Sequence, residues 1–215
     1  MSFEFPDPRQ STSEGLVAVG GRLSPDMLLA AYRKGIFPWP QDDMPMLWFS
    51  PDPRGVIDFS EVHIPRSLEK FRRKVSDSWT FTVNKSFRAV MDECGKQKRP
   101  GQAGTWIIPS MPPAYQRLHA QGYALSVECW ENDELIGGIY GVDLGYYFSG
   151  ESMFFKRTNA SKLSLLYLMD HLKTRGLTWM DVQMVTPVIE SLGGKYISRE
   201  QFLHRISEGL EAIRD

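Results

Sequence analysis

The chain has 215 residues, with 25 Lys and Arg against 26 Asp and Glu, a length that fits one large domain or a medium domain carrying a small one. Hydrophobic residues make up 42% and charged residues 24%, which excludes both a disordered tail and a fibrous repeat. A formal net charge of -1 excludes binding of nucleic acid through global positive charge and leaves room only for a regional basic patch.

In chain order, Ser24 reads as an N-cap, Pro25 as the first helical position and Gly35 as the stop of a helix that buries Leu28, Leu29 and Tyr32. The stretch 35–54 carries Trp39 and Trp48 among prolines. It is too irregular for a helix and too broken for a central strand, so it reads as an aromatic-rich connector. Residues 55–59 form a strand, and a basic helix opens near Pro65 and runs through Leu68 and Phe71. Residues 80–83 alternate as a strand. Asn84 caps a helix burying Phe87, Val90, Met91 and Cys94, which Gly95 ends before a polar loop with Lys96, Lys98 and Arg99. Another helix runs from Pro112 or Pro113 to Gly122. Residues 124–131 and 134–142, joined by Asn132 and Asp133, form a hairpin. A third strand, 146–150, leads through residues 151–154 into a long helix capped by Asn159 and ended by Gly176. A strand at 179–183, a short helix to Leu192 and a terminal helix over 199–213 complete the chain. This order is an α+β design with a mixed β-sheet flanked by helices, and its hairpin, strand, helix, strand core is similar to the GCN5-related acyltransferase fold.

Several chemistries are excluded by what is missing. Cys94 and Cys129 form no C-x-x-C pair, so a disulfide framework and a zinc site are not expected. His63, His119, His171 and His204 are scattered singly and read as surface or core-edge residues, and no phosphate loop, dinucleotide fingerprint or nucleophile elbow occurs. The first residues lack the positive start and apolar run of a secretory signal, and no stretch approaches the roughly 20 apolar residues of a membrane span, so a cytoplasmic protein is expected.

Three features carry chemistry. In Asp181-Val182-Gln183 a two-residue period places Asp181 and Gln183 on one strand face, where either the carboxylate bonds the amide NH2 group and orients its carbonyl toward an attacking amine, or Asp181 is a structural residue that satisfies nearby backbone. In Ser149-Gly150-Glu151-Ser152-Met153-Phe154 a Glu interrupts an apolar strand beside a Gly, either as an acceptor for a substrate ammonium or as half of a buried ion pair. Trp39, Trp48 and Trp106, together with Arg66, Lys70, Arg72, Arg73 and Lys74, combine flat faces for bases with cations for phosphates, or are core aromatics plus a solvated helix face.

The strings Gly35-Ile36-Phe37-Pro38-Trp39, Trp48-Phe49-Ser50-Pro51-Asp52-Pro53-Arg54, Gly104-Thr105-Trp106-Ile107, Gly150-Glu151-Ser152-Met153-Phe154 and Asp181-Val182-Gln183 resemble, in order and over nearly the whole chain, the leucyl/phenylalanyl-tRNA protein transferases. The resemblance implies a small N-terminal domain over residues 1–52 and an acyltransferase-like domain over 53–215. It implies an aminoacyltransferase that moves Leu, Phe or sometimes Met from aminoacyl-tRNA onto proteins with N-terminal Arg or Lys, marking them for N-degron degradation. No metal and no coenzyme are implied, and the protein is expected to be a monomer. By position, Trp39 and Trp106 match aromatics at the terminal adenosine, and Ile139, Phe148, Met153, Leu165, Leu168 and Met180 match the wall of the amino-acid pocket. Asp181 and Gln183 match the pair that orients and deprotonates the amine, with Glu151 a carboxylate by the ester. Arg66, Lys70, Arg73 and Lys74 match the tRNA-binding cations.

The chain departs from that pattern at three places. Leu125 stands where the family usually has His, Ile139 replaces a frequent Met, and residues 186–189 lack a common His. Branched Ile139 is stiffer than Met, so a shift toward Leu over Phe is expected. A coenzyme A dependent acetyltransferase on the same fold is the rival reading. It is disfavoured because the turn Lys156-Arg157-Thr158-Asn159 has no Gly to cradle a pyrophosphate.

Overall fold

The computed structural model describes residues 4–41, 44–97 and 107–212. The elements are β1 (Leu16–Val19), α1 (Pro25–Tyr32), β2 (Phe37–Pro38), β3 (Leu47–Phe49), β4 (Arg54–Asp58), α2 (Arg66–Val75), β5 (Trp79–Val83), α3 (Phe87–Lys96), α4 (Met111–Ala120), β6 (Ala124–Glu131), β7 (Glu134–Asp143), β8 (Phe148–Phe155), α5 (Ala160–Thr174), β9 (Trp179–Gln183), α6 (Pro187–Ser191), β10 (Lys195–Ile197) and α7 (Arg199–Ala212). A three-stranded sheet has the order β1-β3-β2, and a seven-stranded sheet the order β10-β4-β9-β8-β7-β6-β5. Every pairing in the larger sheet is antiparallel except β8 with β9, so the sheet is mixed as expected.

Local chemistry explains most boundaries. Ser24 Oγ accepts the Met27 N–H at 3.2 Å, with Pro25 at the first helical position, so α1 starts as read. Asn132 and Asp133 both have positive φ, the two-residue turn that matches strand twist and sets the β6–β7 register. The aromatic connector is corrected. Its residues form β2 and β3, short strands that pair with each other, β3 pairing on its other edge with β1, and the Trp48 indole N–H donates to the Gly20 carbonyl at 2.9 Å. Asn84 is not the cap of α3. It takes a left-handed turn and accepts the Ser126 N–H, while the Lys85 and Ser86 amides at the helix entry bind the buried Glu128 carboxylate of β6 at 3.2 Å. Asn159 likewise occupies its cap position in a left-handed conformation without a side-chain cap bond.

Alternation along β7 divides the core. Tyr140 faces a cluster shared by α1, Trp48, α3 and α4, so the small sheet is packed on one face of the large one. Ile139 faces the opposite cluster, built by α5 through Leu165, Leu166, Leu168, Met169 and Leu172 with Phe148 and Met180. A third cluster places Phe202 and Ile206 of α7 against Val56 and Tyr147. Among the described residues no helix is long and apolar enough to cross a membrane.

Candidate active site

The parallel strands β8 and β9 share one register pair, Ser149 with Asp181, and part beyond it. Each carries an extra residue there. Tyr140 and Gly141 of β7 pair with Ser152 and Gly150, so Glu151 is bulged out of the ladder. Gly55 and Val56 of β4 pair with Gln183 and Asp181, so Val182 is bulged as well, and Gln183 ends the strand at φ 57. Gly55 lets the two backbones meet, because a Cβ there would lie 2.9 Å from the Met184 backbone. The bulges direct Glu151 and Gln183 to the wall of a cavity of about 470 Å³ that opens where the strands separate.

Behind that wall lies a charged knot. Arg54 and Asp181 are both fully buried, with Arg54 Nε donating to Oδ1 at 2.8 Å and Nη2 to Oδ2 at 2.7 Å. Asp181 Oδ1 also accepts the Gln183 backbone N–H at 2.9 Å, and Oδ2 accepts the hydroxyls of Tyr147 at 2.8 Å and Ser149 at 2.9 Å. Its lone pairs are thereby used, and it does not line the cavity. The carboxylate therefore bonds the Gln183 backbone, correcting the expected contact with its side-chain NH2 group. That NH2 group donates to Ser149 Oγ at 2.7 Å and to Glu151 Oε1 at 3.3 Å. Both neighbours fix the flip of the amide, since its oxygen would repel the Glu151 carboxylate. Gln183 Oε1 receives no hydrogen bond among the described residues.

Glu151 has no cation bonded to it among the described residues, and the charge of Arg54 acts on it from behind Asp181. Burial, with the Asp181 charge adding to it, raises its pKa to about 7 against the donors that lower it, Tyr32 and Tyr115. The hydroxyls of Tyr32 and Tyr115 lie 2.6 Å apart, and Tyr115 donates to Glu151 Oε2 at 3.2 Å. Burial and then the Glu151 charge push both phenols well above their ordinary range, so they remain protonated donors.

Of the residues matched to the pocket wall, Ile139, Met153, Leu165 and Met180 do line the cavity, and Trp39, matched to the terminal adenosine, lies on it as well. Phe148 and Leu168 do not; both are fully buried in the core cluster on the α5 side. Trp106 lies outside the described residues. The wall also includes Phe37, Phe155, Val182, Met184 and Val188, which sequence reading did not single out. Phe37 lies in the quoted string two residues from Trp39, and Val182 two residues along the strand from Met180, so both were within reach of those signals. Leu125 is buried in the core on the α5 side and is not part of the wall.

The cations of α2 sit elsewhere on the surface. Arg66, Lys70, Arg73 and Lys74 are exposed at helical spacing, while Leu68 is buried. Arg72 and Arg73 share Glu69 at 3.0 Å, and Arg66, Lys70 and Lys74 have no ion pair among the described residues.

Comparison with known proteins adds to this geometry. The family described as leucyl/phenylalanyl-tRNA protein transferase matches residues 56–207, and the family described as its N-terminal domain matches residues 21–52. A protein of Maridesulfovibrio salexigens named leucyl/phenylalanyl-tRNA–protein transferase is 46% identical over 208 residues, which cover 96% of this chain and 86% of its own. One of the same name from Shewanella pealeana is 48% identical over 205 residues, covering 94% and 86%. Among solved structures, a GCN5-related N-acetyltransferase from Kribbella flavida is similar with a TM-score of 0.42 at 10% identity, over 81% of this chain and 61% of that one.

Proposed function

The chain belongs to the leucyl/phenylalanyl-tRNA protein transferase family, and we propose that it moves a leucyl or phenylalanyl group, and sometimes methionyl, from its tRNA onto the N-terminal amine of a protein beginning with Arg or Lys. The observation that carries this reading is an apolar cavity holding one oriented amide and one carboxylate poised near neutrality, Gln183 and Glu151. An aminoacyl ester is already activated, so alignment and a path for one proton are what the protein must supply. The amine nitrogen attacks the ester carbonyl carbon, the bond to the ribose oxygen breaks, and a peptide bond forms. The amine gives up a proton and the ribose oxygen takes one.

Gln183 Oε1 accepts a hydrogen bond from the amine and holds its lone pair on the carbonyl. An amide is not a base, so the proton goes to Glu151, within 3.3 Å of the Gln183 NH2 group. A free N-terminal amine has a pKa of about 7.7–8.0, close enough to about 7 for the transfer to be nearly balanced. Glu151 then returns it to the leaving ribose oxygen. Asp181 does not touch substrate in this scheme and acts as a positioning residue. Met153, Met180, Leu165 and Ile139 receive the amino-acid side chain, where soft and branched apolar walls offer no hydrogen bond to a polar one. Trp39 stacks on the terminal adenosine together with Trp106, and Arg66, Lys70, Arg73 and Lys74 hold the acceptor stem. We further propose that residues 1–52 and 53–215 are the two domains, that the protein works as a monomer in the cytoplasm, and that the transfer marks acceptors for degradation.

The test uses purified protein, leucyl-tRNA or phenylalanyl-tRNA, and two peptides beginning with Arg or Ala, read by mass spectrometry. A leucine- or phenylalanine-sized gain on the Arg peptide alone is expected. A gain on neither peptide while tRNA still binds would refute the reading in favour of a binding module.

A further inference from the structure

Two strings that mark the sequence, the one opening at Gly35 and the one ending at Arg54, receive no full account from substrate contact. Their remaining residues meet behind the cavity. Arg54 is the only fully buried cation among the described residues, and its fork holds both oxygens of Asp181. Its third nitrogen, Nη1, donates to the Gly35 carbonyl at 3.1 Å. The guanidinium lies over two rings, 4.7 Å from the centroid of Phe37 and 4.3 Å from that of Phe202. Phe37 lines the cavity and Phe202 belongs to the terminal helix α7. Gly35 has φ 70, and a Cβ there would meet the Phe202 ring at 2.6 Å and push it off the guanidinium.

We propose that Arg54 is a positioning residue of the transfer reaction, which through Asp181 fixes the direction of the Gln183 amide. The inference rests on the reading of Gln183 as the group that receives the attacking amine. A buried ion pair adds little stability over a well-packed apolar pair, so stability alone does not account for a charge bonded at every nitrogen and set over two rings. What the fork does supply is direction. It leaves Asp181 one orientation, in which Oδ1 takes the Gln183 backbone N–H and Oδ2 takes the Ser149 hydroxyl. With its single proton given to Asp181, Ser149 Oγ is left as an acceptor, and the Gln183 NH2 group fills it. The amide carbonyl then has one way to point. Lysine cannot take over this task, because one ammonium neither forks nor stacks as a planar group does.

The experiment compares steady-state transfer from leucyl-tRNA to an Arg-initiated peptide by the parent, Arg54→Lys and Arg54→Met, each corrected for its folded fraction. Arg54→Lys is expected to lower kcat about 10- to 100-fold with KM for both substrates within about threefold, and Arg54→Met to lower kcat further. A kcat for Arg54→Lys within about twofold of the parent, or a loss confined to KM, would overturn the proposal. A second measurement needs no variant. In nitrogen-15 spectra of the full-length parent, the Gln183 side-chain NH2 and the Arg54 Nε–H are expected to exchange slowly with solvent, and rapid exchange of either overturns the proposal. Absence of transfer by the parent itself would instead sink the functional reading, and the spectra would still report whether Arg54 holds Gln183.

Discussion

Replacing Glu151 by Gln tests the site through stability and activity at once, with opposite signs. Burial first, and then the Asp181 charge, lift this carboxyl from 4.5 to about 7 in the folded chain. A shift of that size corresponds to about 3 kcal/mol at about 1.4 kcal/mol per pKa unit. The raised value means the folded state binds its proton more tightly than the unfolded chain does. The protonated carboxyl is therefore neutral to folding in acid. As pH climbs from the unfolded value toward about 7 the folded protein progressively loses that amount of stability, and above about 7 the loss is complete. The amide introduced by Glu151→Gln cannot titrate. The unfolding free energy of the variant minus that of the parent should therefore grow by about 2.5 kcal/mol between about pH 5 and about pH 8, while every other titrating group cancels in the difference. Urea unfolding followed by tryptophan fluorescence measures it, and any fixed cost of placing an amide beside the Gln183 NH2 group drops out. Transfer should meanwhile fall by about 10²- to 10⁴-fold, the usual worth of a proton acceptor, and the pH dependence that remains should be that of the acceptor amine, about 7.7–8.0. A stability difference that is the same at both pH values would refute the placement of Glu151 in a water-poor wall.

Ile139→Met should raise turnover of phenylalanyl-tRNA relative to leucyl-tRNA, because Ile139 lies on the cavity wall and an unbranched side chain yields to a ring; a parent that already prefers Phe would sink this. Reversing Arg66 and Lys70 to Glu should raise KM for the charged tRNA with kcat at saturation retained. It should also flatten the slope of log binding against log salt by about 2, and an unchanged slope would remove α2 from the tRNA surface. Gly141→Ala drives a Cβ into the Ser149 carbonyl oxygen, so a destabilisation of about 1–3 kcal/mol is expected together with a loss of kcat, measured by thermal unfolding and single-turnover transfer.

Elements written in local chemistry were readable without the fold. The Ser24-Pro25 entry to α1, the Asn132-Asp133 turn and the apolar face of α5 each follow from the residues within one turn of themselves. What stayed hidden depends on partners far along the chain. The entry of α3 is capped by Glu128, more than 40 positions away, so Asn84 carried the familiar signal while a strand residue did the work. β1, β2 and β3 are too short to show alternation, and β10 is three residues long, so only their pairing partners define them.

The site divides along the same line. Glu151, Asp181 and Gln183 could be named from their strings, and so could most of the apolar wall, but the strand period misassigned what each touches. Period-two reasoning treats Asp181 and Gln183 as equivalent neighbours. The bulge at Val182 and the positive φ at Gln183 make them unequal, one sealed against Arg54 and the other at the cavity. The bulge at Glu151 frees a carboxylate from a ladder that would otherwise carry it to one face or the other with its neighbours. Both irregularities fall where β8 and β9 run parallel for a single pair, in a larger sheet whose other pairings are antiparallel. A regular sheet would close over that point and leave no cavity. The proposed reacting groups thus lie at bulges, and a reading that assumes regular strands finds the residues but not their arrangement.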